Sequence, residues 1–171
     1  LNPAYATILS GDLGVPGSDW DNAYHVFYHP SSLELDQTAV LNGVTITKGN
    51  ADGTNHDMFG GGMFNEESGP LLIHVAIVEN KALVSGGGIY SANGALGLVN
   101  SIVSGNSAAT GGGLFLSNTE ASYLANVLIS GNTAENGAGM VFSNASFTVA
   151  NVTVAGNAAS VSAGGLLVEQ F

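Results

Sequence analysis

Cysteine and arginine are absent from this chain of 171 residues, and its only basic side chains apart from histidine are Lys48 and Lys81. Without cysteine, neither disulfides nor thiolate metal sites can hold the fold together. Nucleic-acid binding depends on basic side chains that neutralise phosphates, and here two lysines stand against 13 acids. We therefore expect no nucleic acid and no anionic membrane surface among the partners.

Long apolar runs and helical periodicity are also missing. No segment approaches the roughly 20 apolar residues that are needed to cross a bilayer, so no membrane insertion is expected. The first residues contain neither a basic region nor an apolar core typical of a signal peptide. Glycine and β-branched residues dominate, which predicts essentially no α-helix.

What the chain does contain is a repeat built on glycine. Blocks similar to Gly111-Gly112-Gly113-Leu114-Phe115 begin at positions 60, 86, 111, 137 and 163, so successive blocks are 25 or 26 residues apart. A fixed period in this range marks a repeat architecture, in which each unit buries its apolar face by stacking on its neighbours. Apolar positions around each block predict about three short strands per repeat. The fold class is all-β, a parallel β-helix, with right handedness expected from the general crossover preference.

We interpret residues 1–171 as a single β-helix domain and as a fragment of a longer protein. Residues 1–36 are expected to form irregular end coils, and residues 37–171 about five regular coils. Trp20 lies in a turn-rich loop of the first part, where we expect it to pack down over that end of the solenoid.

Asparagine recurs at two positions of the repeat. Coils of a parallel β-helix stack about 4.8 Å apart, so an amide can bond to the same residue of the coils above and below. One predicted internal ladder comprises Asn80, Asn106, Asn132 and Asn157. A second comprises Asn100, Asn126 and Asn151, with His74 in the place of asparagine in one coil.

The Asn-x-Ala motif followed by three glycines, an aliphatic residue and an aromatic residue resembles the β-helix repeats of bacterial surface and secreted proteins. These include the polymorphic outer-membrane protein repeats of chlamydiae and long secreted β-helix proteins of Bacteroidetes-type bacteria. The resemblance implies an extracellular or cell-surface location and a role as an adhesin, an autotransporter passenger or a surface scaffold.

The same architecture also houses pectin and alginate lyases and polygalacturonases, so an enzyme is the alternative. Lyases of this type use a basic residue and a cation, whereas this chain has no arginine and is strongly acidic. Glycoside hydrolysis needs two carboxylates about 5 to 9.5 Å apart in one groove. The acids of the regular coils are scattered, at Glu79, Glu120, Glu135 and Glu169. We therefore predict no catalytic residues.

Acidic residues do cluster around the irregular stretch 50–57. Asp52, Asp57, Glu66 and Glu67 could supply oxygen ligands for a weak calcium site, although their spacing matches no known calcium loop. The alternative is a solvated insertion that lengthens one coil. No other cofactor is expected.

An aromatic column follows the glycine blocks. If Met63, Ile89 and their equivalents point inward, alternation sends Phe64, Tyr90 and Phe115 outward as an exposed stripe. Such a stripe would suit a partner protein or stacking sugar rings. With the opposite parity these rings would line the core, and the sequence leaves both alternatives open.

Together these features predict a non-catalytic structural or adhesive β-helix module. Its expected partners are neighbouring coils of a longer chain or further copies stacked end to end as a filament, together with host or bacterial surface glycans. The alternative is a carbohydrate-binding or polysaccharide-degrading β-helix protein.

Overall fold

A computed structural model describes residues 7–170, and in it the chain winds as a parallel β-solenoid. Each coil contributes one strand to each of three parallel sheets, visited in the order sheet I, sheet II, sheet III. Sheet I contains Phe27–His29, Met63–Glu66, Ile89–Ala92, Leu114–Ser117, Met140–Ser143 and Leu166–Glu169. Sheet II contains Val40–Asn42, Leu71–Ile73, Gly97–Val99, Ser122–Ala125 and Phe147–Ala150. Sheet III contains Thr7–Ser10, Val44–Thr47, Ala76–Val78, Ile102–Ser104, Leu128–Ser130 and Thr153–Ala155.

Between sheet III and the next strand of sheet I, shorter pairings tie the coils together. Asn50–Ala51 pairs with Lys81–Ala82, and Thr133–Asn136 pairs with Ala158–Ser162. The other regular elements of residues 7–170 are three short 3₁₀ turns, at Asp19–Asp21, Ser31–Leu33 and Asn55–Met58. Within this part of the chain there is no α-helix, and no helix is long and apolar enough to span a membrane. The predicted all-β solenoid is therefore confirmed.

One continuous apolar core fills the interior of the stack. Strand alternation places every second side chain inside, and the in-register pairing of the coils puts equivalent residues on top of one another. Fully buried columns result, among them Met63, Ile89 and Leu114 from sheet I, Leu72, Leu98 and Leu124 from sheet II, and Ile77, Val103 and Ile129 from sheet III.

Two separate structural constraints explain why glycine occurs in these blocks. The first glycine of a block has a positive φ, for example 66° at Gly86, which L side chains rarely adopt. The third glycine lies against the next coil, since a Cβ built on Gly88 would lie 2.5 Å from the carbonyl oxygen of Gly113. Glycine thus favours the turn into sheet I, where Ala163 of the last block adopts the same conformation with φ 51°, and it permits the close approach of the coils.

Asparagine serves the remaining corners because it tolerates the left-handed region better than most residues. Asn93, Asn118 and Asn144 turn the chain between sheets I and II with φ values of 59°, 49° and 49°. His74 occupies the corner between sheets II and III with φ 52°. The equivalent positions of the following coils are Asn100, Asn126 and Asn151.

The segment expected to form irregular end coils contains two strands in register with the repeat. Thr7–Ser10 pairs with Val44–Thr47, and Phe27–His29 pairs with the sheet I strand that begins at Met63. The irregularity is confined to the loops between them, such as residues 11–23.

Candidate functional site

The inner asparagine column is hydrogen-bonded throughout, and it is buried at Asn80, Asn106 and Asn132 and partly buried at Asn157. Asn106 Nδ2 donates to Asn132 Oδ1 at 3.0 Å and to the carbonyl oxygen of Ile77 at 2.9 Å. Asn106 Oδ1 accepts the backbone N–H and the side-chain Nδ2 of Asn80, both at 3.0 Å. Because backbone groups hold both ends of the amide, its orientation is fixed.

The same pattern extends along the column. Asn80 Nδ2 donates to the carbonyl oxygen of Ile46, and Asn132 and Asn157 donate to carbonyl oxygens of the preceding coil in the same manner. Asn157 Oδ1 accepts from both the backbone and the side chain of Asn132 at 2.9 Å. The column therefore bonds the backbone N–H groups of Asn80, Asn106 and Asn132 at the corner after sheet III, together with carbonyl oxygens of the sheet III strands.

The second column lies on the exposed corner between sheets II and III. Asn126 Nδ2 donates to Asn100 Oδ1 at 2.9 Å, and Asn151 Nδ2 donates to Asn126 Oδ1 at 3.1 Å. His74 continues it, with Nε2 lying 3.3 Å from Asn100 Nδ2 and Nδ1 lying 3.3 Å from Asn42 Oδ1. His74 thus takes a rung of this column, and Asn42 is a rung that the sequence analysis did not identify.

The aromatic residues form a stack on the outer side of sheet I. Met63 and Asn65 are buried on either side of Phe64 in the sequence, so alternation directs Phe64 away from the core. The ring of Tyr90 lies 5.2 Å from that of Phe64 at an interplanar angle of 4°, and the ring of Phe115 lies 5.4 Å from that of Tyr90 at 3°. Tyr90 consequently lies between two neighbouring rings, and Phe115 has one ring face against Tyr90.

Loops close over one end of this stack. The Phe64 side chain contacts His25, His56 and Phe59, with ring centroids 5.5, 5.7 and 6.4 Å away, and Phe64 is only 3% exposed. Phe59 also lies 4.9 Å from Tyr90. The expectation of an open stripe is therefore wrong at Phe64, because the lengthened coil that contains the Asn55–Met58 turn covers it.

Burial also changes the chemistry of the stack. Desolvation raises the pKa of the Tyr90 hydroxyl above its usual range, and the nearby negative charge of Glu66 adds to the effect. Both causes disfavour the phenolate, so the hydroxyl remains protonated beyond the range in which an exposed tyrosine ionises.

The acids proposed as calcium ligands are not gathered into one site. Asp52 accepts a hydrogen bond from Asn50, and Asp57 lies 3.5 Å from His25 Nε2. Glu66 ends a strand of sheet I, and Glu67 follows it in the corner. Nowhere in residues 7–170 do three or more His, Asp or Glu side chains meet in a way that could hold a metal ion. The geometry thus lends no support to calcium at these four acids.

The scattered acids of the coils occupy four different positions around the solenoid. Glu79 follows sheet III and pairs with Lys48 Nζ at 2.7 Å, which lowers the pKa of the Glu79 carboxyl and raises that of Lys48. Glu120 lies in a turn between sheets I and II, Glu135 between sheets III and I, and Glu169 in sheet I. No two of them share a column of the repeat.

Trp20 does not pack over the end of the solenoid as expected, because its side chain is 77% exposed. The loop that presents it is held in place on both sides. Lys81 pairs with Asp19, Asn50 Nδ2 donates to the Asp19 carbonyl oxygen, and Asp21 Oδ2 accepts the backbone N–H of Val15. This ion pair and these hydrogen bonds fix the positions of Asp19 and Asp21, and the indole of Trp20 stays on the surface.

Buried hydroxyl groups are a feature that the sequence analysis missed. Ser91 and Ser122 are fully buried, and their Oγ atoms have no hydrogen-bond partner among the described residues. Ser101, by contrast, accepts the Val75 N–H at 3.0 Å and donates to the Val99 carbonyl oxygen at 2.7 Å. The sequence indicates buried hydroxyl groups only through serines at inward positions of the repeat. The position alone does not show whether the hydroxyl has a hydrogen-bond partner.

Comparisons of this chain with models of protein families, with curated proteins and with solved structures find no match.

Proposed function

We propose that this chain is a non-catalytic structural and adhesive module of an extracellular bacterial protein, displayed at a cell surface or secreted. The observation that carries the proposal is the inner column from Asn80 to Asn157, in which each amide bonds to the adjacent coil and to buried backbone groups. This column and the shared core join the coils into a stiff rod, which is what a spacer or an adhesin requires. The extracellular location rests on the resemblance of the repeat to those of bacterial surface proteins.

Self-association through terminal coils belongs to the same proposal. In-register parallel pairing joins each coil to the next, and a coil of a second copy would extend the sheets in the same way, by pairing with an open strand edge.

Electron microscopy tests this self-association. The purified chain is imaged at high concentration, first with calcium and then with a chelator. Ordered filaments would support end-to-end stacking as the function. Isolated short rods would contradict it and leave the module as a spacer or adhesive segment.

Carbohydrate binding is the second candidate, and the exposure of Trp20 favours it. An indole held on the surface by a braced loop offers an open aromatic face for a sugar ring, whereas Phe64 is buried and Tyr90 lies between two rings. Since Trp20 is the only tryptophan of the chain, its fluorescence reports directly on any ligand that stacks there.

A glycan array with the natural chain and with Trp20→Ala tests this candidate, and Leu13→Ala serves as a control because Leu13 is an exposed apolar residue of the same loop. Binding that is lost in Trp20→Ala and retained in Leu13→Ala would support a sugar site. Equal binding by all three proteins would contradict it. Release of reducing ends or of unsaturated uronates from polysaccharides would overturn the non-catalytic assignment.

A further inference from the structure

The two asparagine columns differ in what fixes the direction of their amides. In the inner column, backbone N–H and C=O groups hold both ends of Asn106, so reversal of the amide would break four hydrogen bonds. In the outer column, the side chains of Asn100, Asn126 and Asn151 bond, within residues 7–170, only to one another and to His74. Nothing in the backbone opposes a reversal of these outer amides.

His74 sets the present direction of the outer column. An amide oxygen only accepts and an amide nitrogen only donates, so His74 Nδ1 carries the proton toward Asn42 Oδ1 and Nε2 accepts from Asn100. This is the neutral ring in one defined tautomer. The same polarity then continues, since Asn100 Oδ1 accepts from Asn126 and Asn126 Oδ1 accepts from Asn151.

We infer that the outer column is a hydrogen-bonded chain whose polarity inverts when His74 takes up a proton. A protonated His74 donates from both nitrogens, so Asn100 must turn its oxygen toward the ring. The amide nitrogen of Asn100 then faces Asn126, so Asn126 must turn its oxygen toward Asn100. Asn151 must likewise turn its oxygen toward Asn126.

The inversion is concerted because only the complete reversal preserves every contact. Turning Asn100 alone would set two amide nitrogens against each other, and turning no amide would set Nε2–H against an amide nitrogen. After full reversal, the contacts His74–Asn100, Asn100–Asn126 and Asn126–Asn151 are all still made. The contact to the charged ring becomes a charge-assisted hydrogen bond.

Other charged groups do not compete for this histidine. The ion pairs of the described residues are Lys48–Glu79, Lys81–Asp19 and His25–Asp57, and none includes His74. The strands that flank it in its own coil and in the coils on either side have no ionisable side chain, and they are Val40–Asn42, Val44–Thr47, Leu71–Ile73, Ala76–Val78, Gly97–Val99 and Ile102–Ser104. The groups that face the ring are the amides of Asn42 and Asn100.

Protonation of His74 changes the hydrogen bonding of a side chain that is remote from the ring. Asn151 lies three coils from His74, or about 14 Å at the spacing of parallel strands. Its free group changes from an acceptor oxygen to a donor nitrogen on inversion. A single protonation therefore changes the hydrogen bonding that this corner offers to whatever contacts it, which adds pH sensitivity to a module proposed above only as a rod.

Nuclear magnetic resonance tests the inference on the whole chain. The side-chain ¹⁵N and ¹³C resonances of Asn100, Asn126 and Asn151 are followed together with those of the His74 ring while the pH is varied from about 5 to 8. We expect all three amides to shift with the same midpoint as the His74 ring. The inner amides of Asn106 and Asn132 should remain unchanged because backbone groups hold them.

Substitutions at two histidines make the result specific. His74→Asn supplies a rung that cannot titrate and should abolish the pH-dependent shifts of Asn126 and Asn151; His74→Gln serves if that variant does not fold. His56→Asn removes an exposed histidine from the Asn55–Met58 turn and should leave the shifts intact. The inference is overturned if only Asn100 responds to His74, or if the shifts of Asn126 and Asn151 persist without His74.

Discussion

At the scale of single residues, asparagine makes a different contribution to stability at each of two positions of the repeat. The inner residues Asn80, Asn106 and Asn132 are buried and bond to the backbone, whereas the outer asparagines bond to one another at an exposed corner. A buried polar group left without a partner costs about 1–3 kcal/mol, while an exposed hydrogen bond is largely replaced by water. The two columns should therefore contribute unequally to stability.

Asn106→Ala tests this difference. It removes four hydrogen bonds and leaves the buried N–H of Asn80 unpaired, so we expect the free energy of unfolding to fall by about 2–5 kcal/mol. Asn126→Gly is the control, since glycine keeps the positive φ of 56° while removing only exposed amide contacts. Its expected cost is below about 1 kcal/mol. Equal losses in urea denaturation would contradict a structural role specific to the inner column.

Two buried serines provide a second comparison. Ser91→Ala removes a hydroxyl that has no partner among the described residues, so we expect unfolding free energy to stay constant or rise by up to about 1 kcal/mol. Ser101→Ala instead leaves the Val75 N–H without its partner, although the Val99 carbonyl oxygen keeps its bond from the His74 N–H, and should cost about 1–3 kcal/mol. The reverse order in thermal or chemical denaturation would show that the Ser91 hydroxyl is bonded after all.

At the scale of structural elements, sheet I has two different faces. Its inner face belongs to the core, and its outer face is a stack of rings in which each coil covers the aromatic residue of the next. Parallel, in-register pairing places equivalent residues one above another, which is the reason the rings stack with nearly parallel planes. The stack therefore adds contact between coils.

The raised pKa of Tyr90 predicts how this stack responds to alkali. With a folded pKa above the reference value of 10.0, the unfolded chain loses its proton first as the pH rises. The stabilising contribution is complete below pH 10 and is lost as the pH rises through the folded pKa. We expect the unfolding free energy of the natural chain to decline there more steeply than that of Tyr90→Phe. Identical pH profiles for the two proteins would contradict burial of this hydroxyl.

At the scale of the whole molecule, net charge dominates the electrostatics. The formal charge is −11, and both lysines are already engaged in ion pairs with Glu79 and Asp19. Repulsion among the remaining carboxylates opposes the compact state, and salt screens it over a Debye length that shortens from about 30 Å at 0.01 M to about 8 Å at 0.15 M.

The melting temperature should therefore rise between these two salt concentrations. Substituting Glu67→Gln together with Glu120→Gln removes two exposed charges, and should raise the melting temperature at low salt while reducing its dependence on salt. A melting temperature that falls with added salt would mean that the two lysine ion pairs outweigh the general repulsion.

Much of this architecture could be predicted because the sequence of a stacked solenoid repeats once per coil and so reflects the geometry of the coil. Every coil repeats the same path, so a residue type that is needed at one corner recurs every 25 or 26 residues, as do the triple glycines and the asparagine of the inner column. Alternation along a strand then indicates which side chains share a face. These local rules are sufficient for the parallel sheets and for the two asparagine columns.

Only the tertiary structure decides what covers an outward side chain, because covering segments come from loops that do not follow the period. The turn Asn55–Met58 buries Phe64, and hydrogen bonds from Asn50 and Val15 brace the loop that leaves Trp20 exposed. Likewise, Asp52, Asp57, Glu66 and Glu67 are neighbours in the sequence but are not brought together by the coil. The amino-acid sequence by itself determined the repeating rod, and the folding of its irregular loops onto that rod decided which surfaces are open.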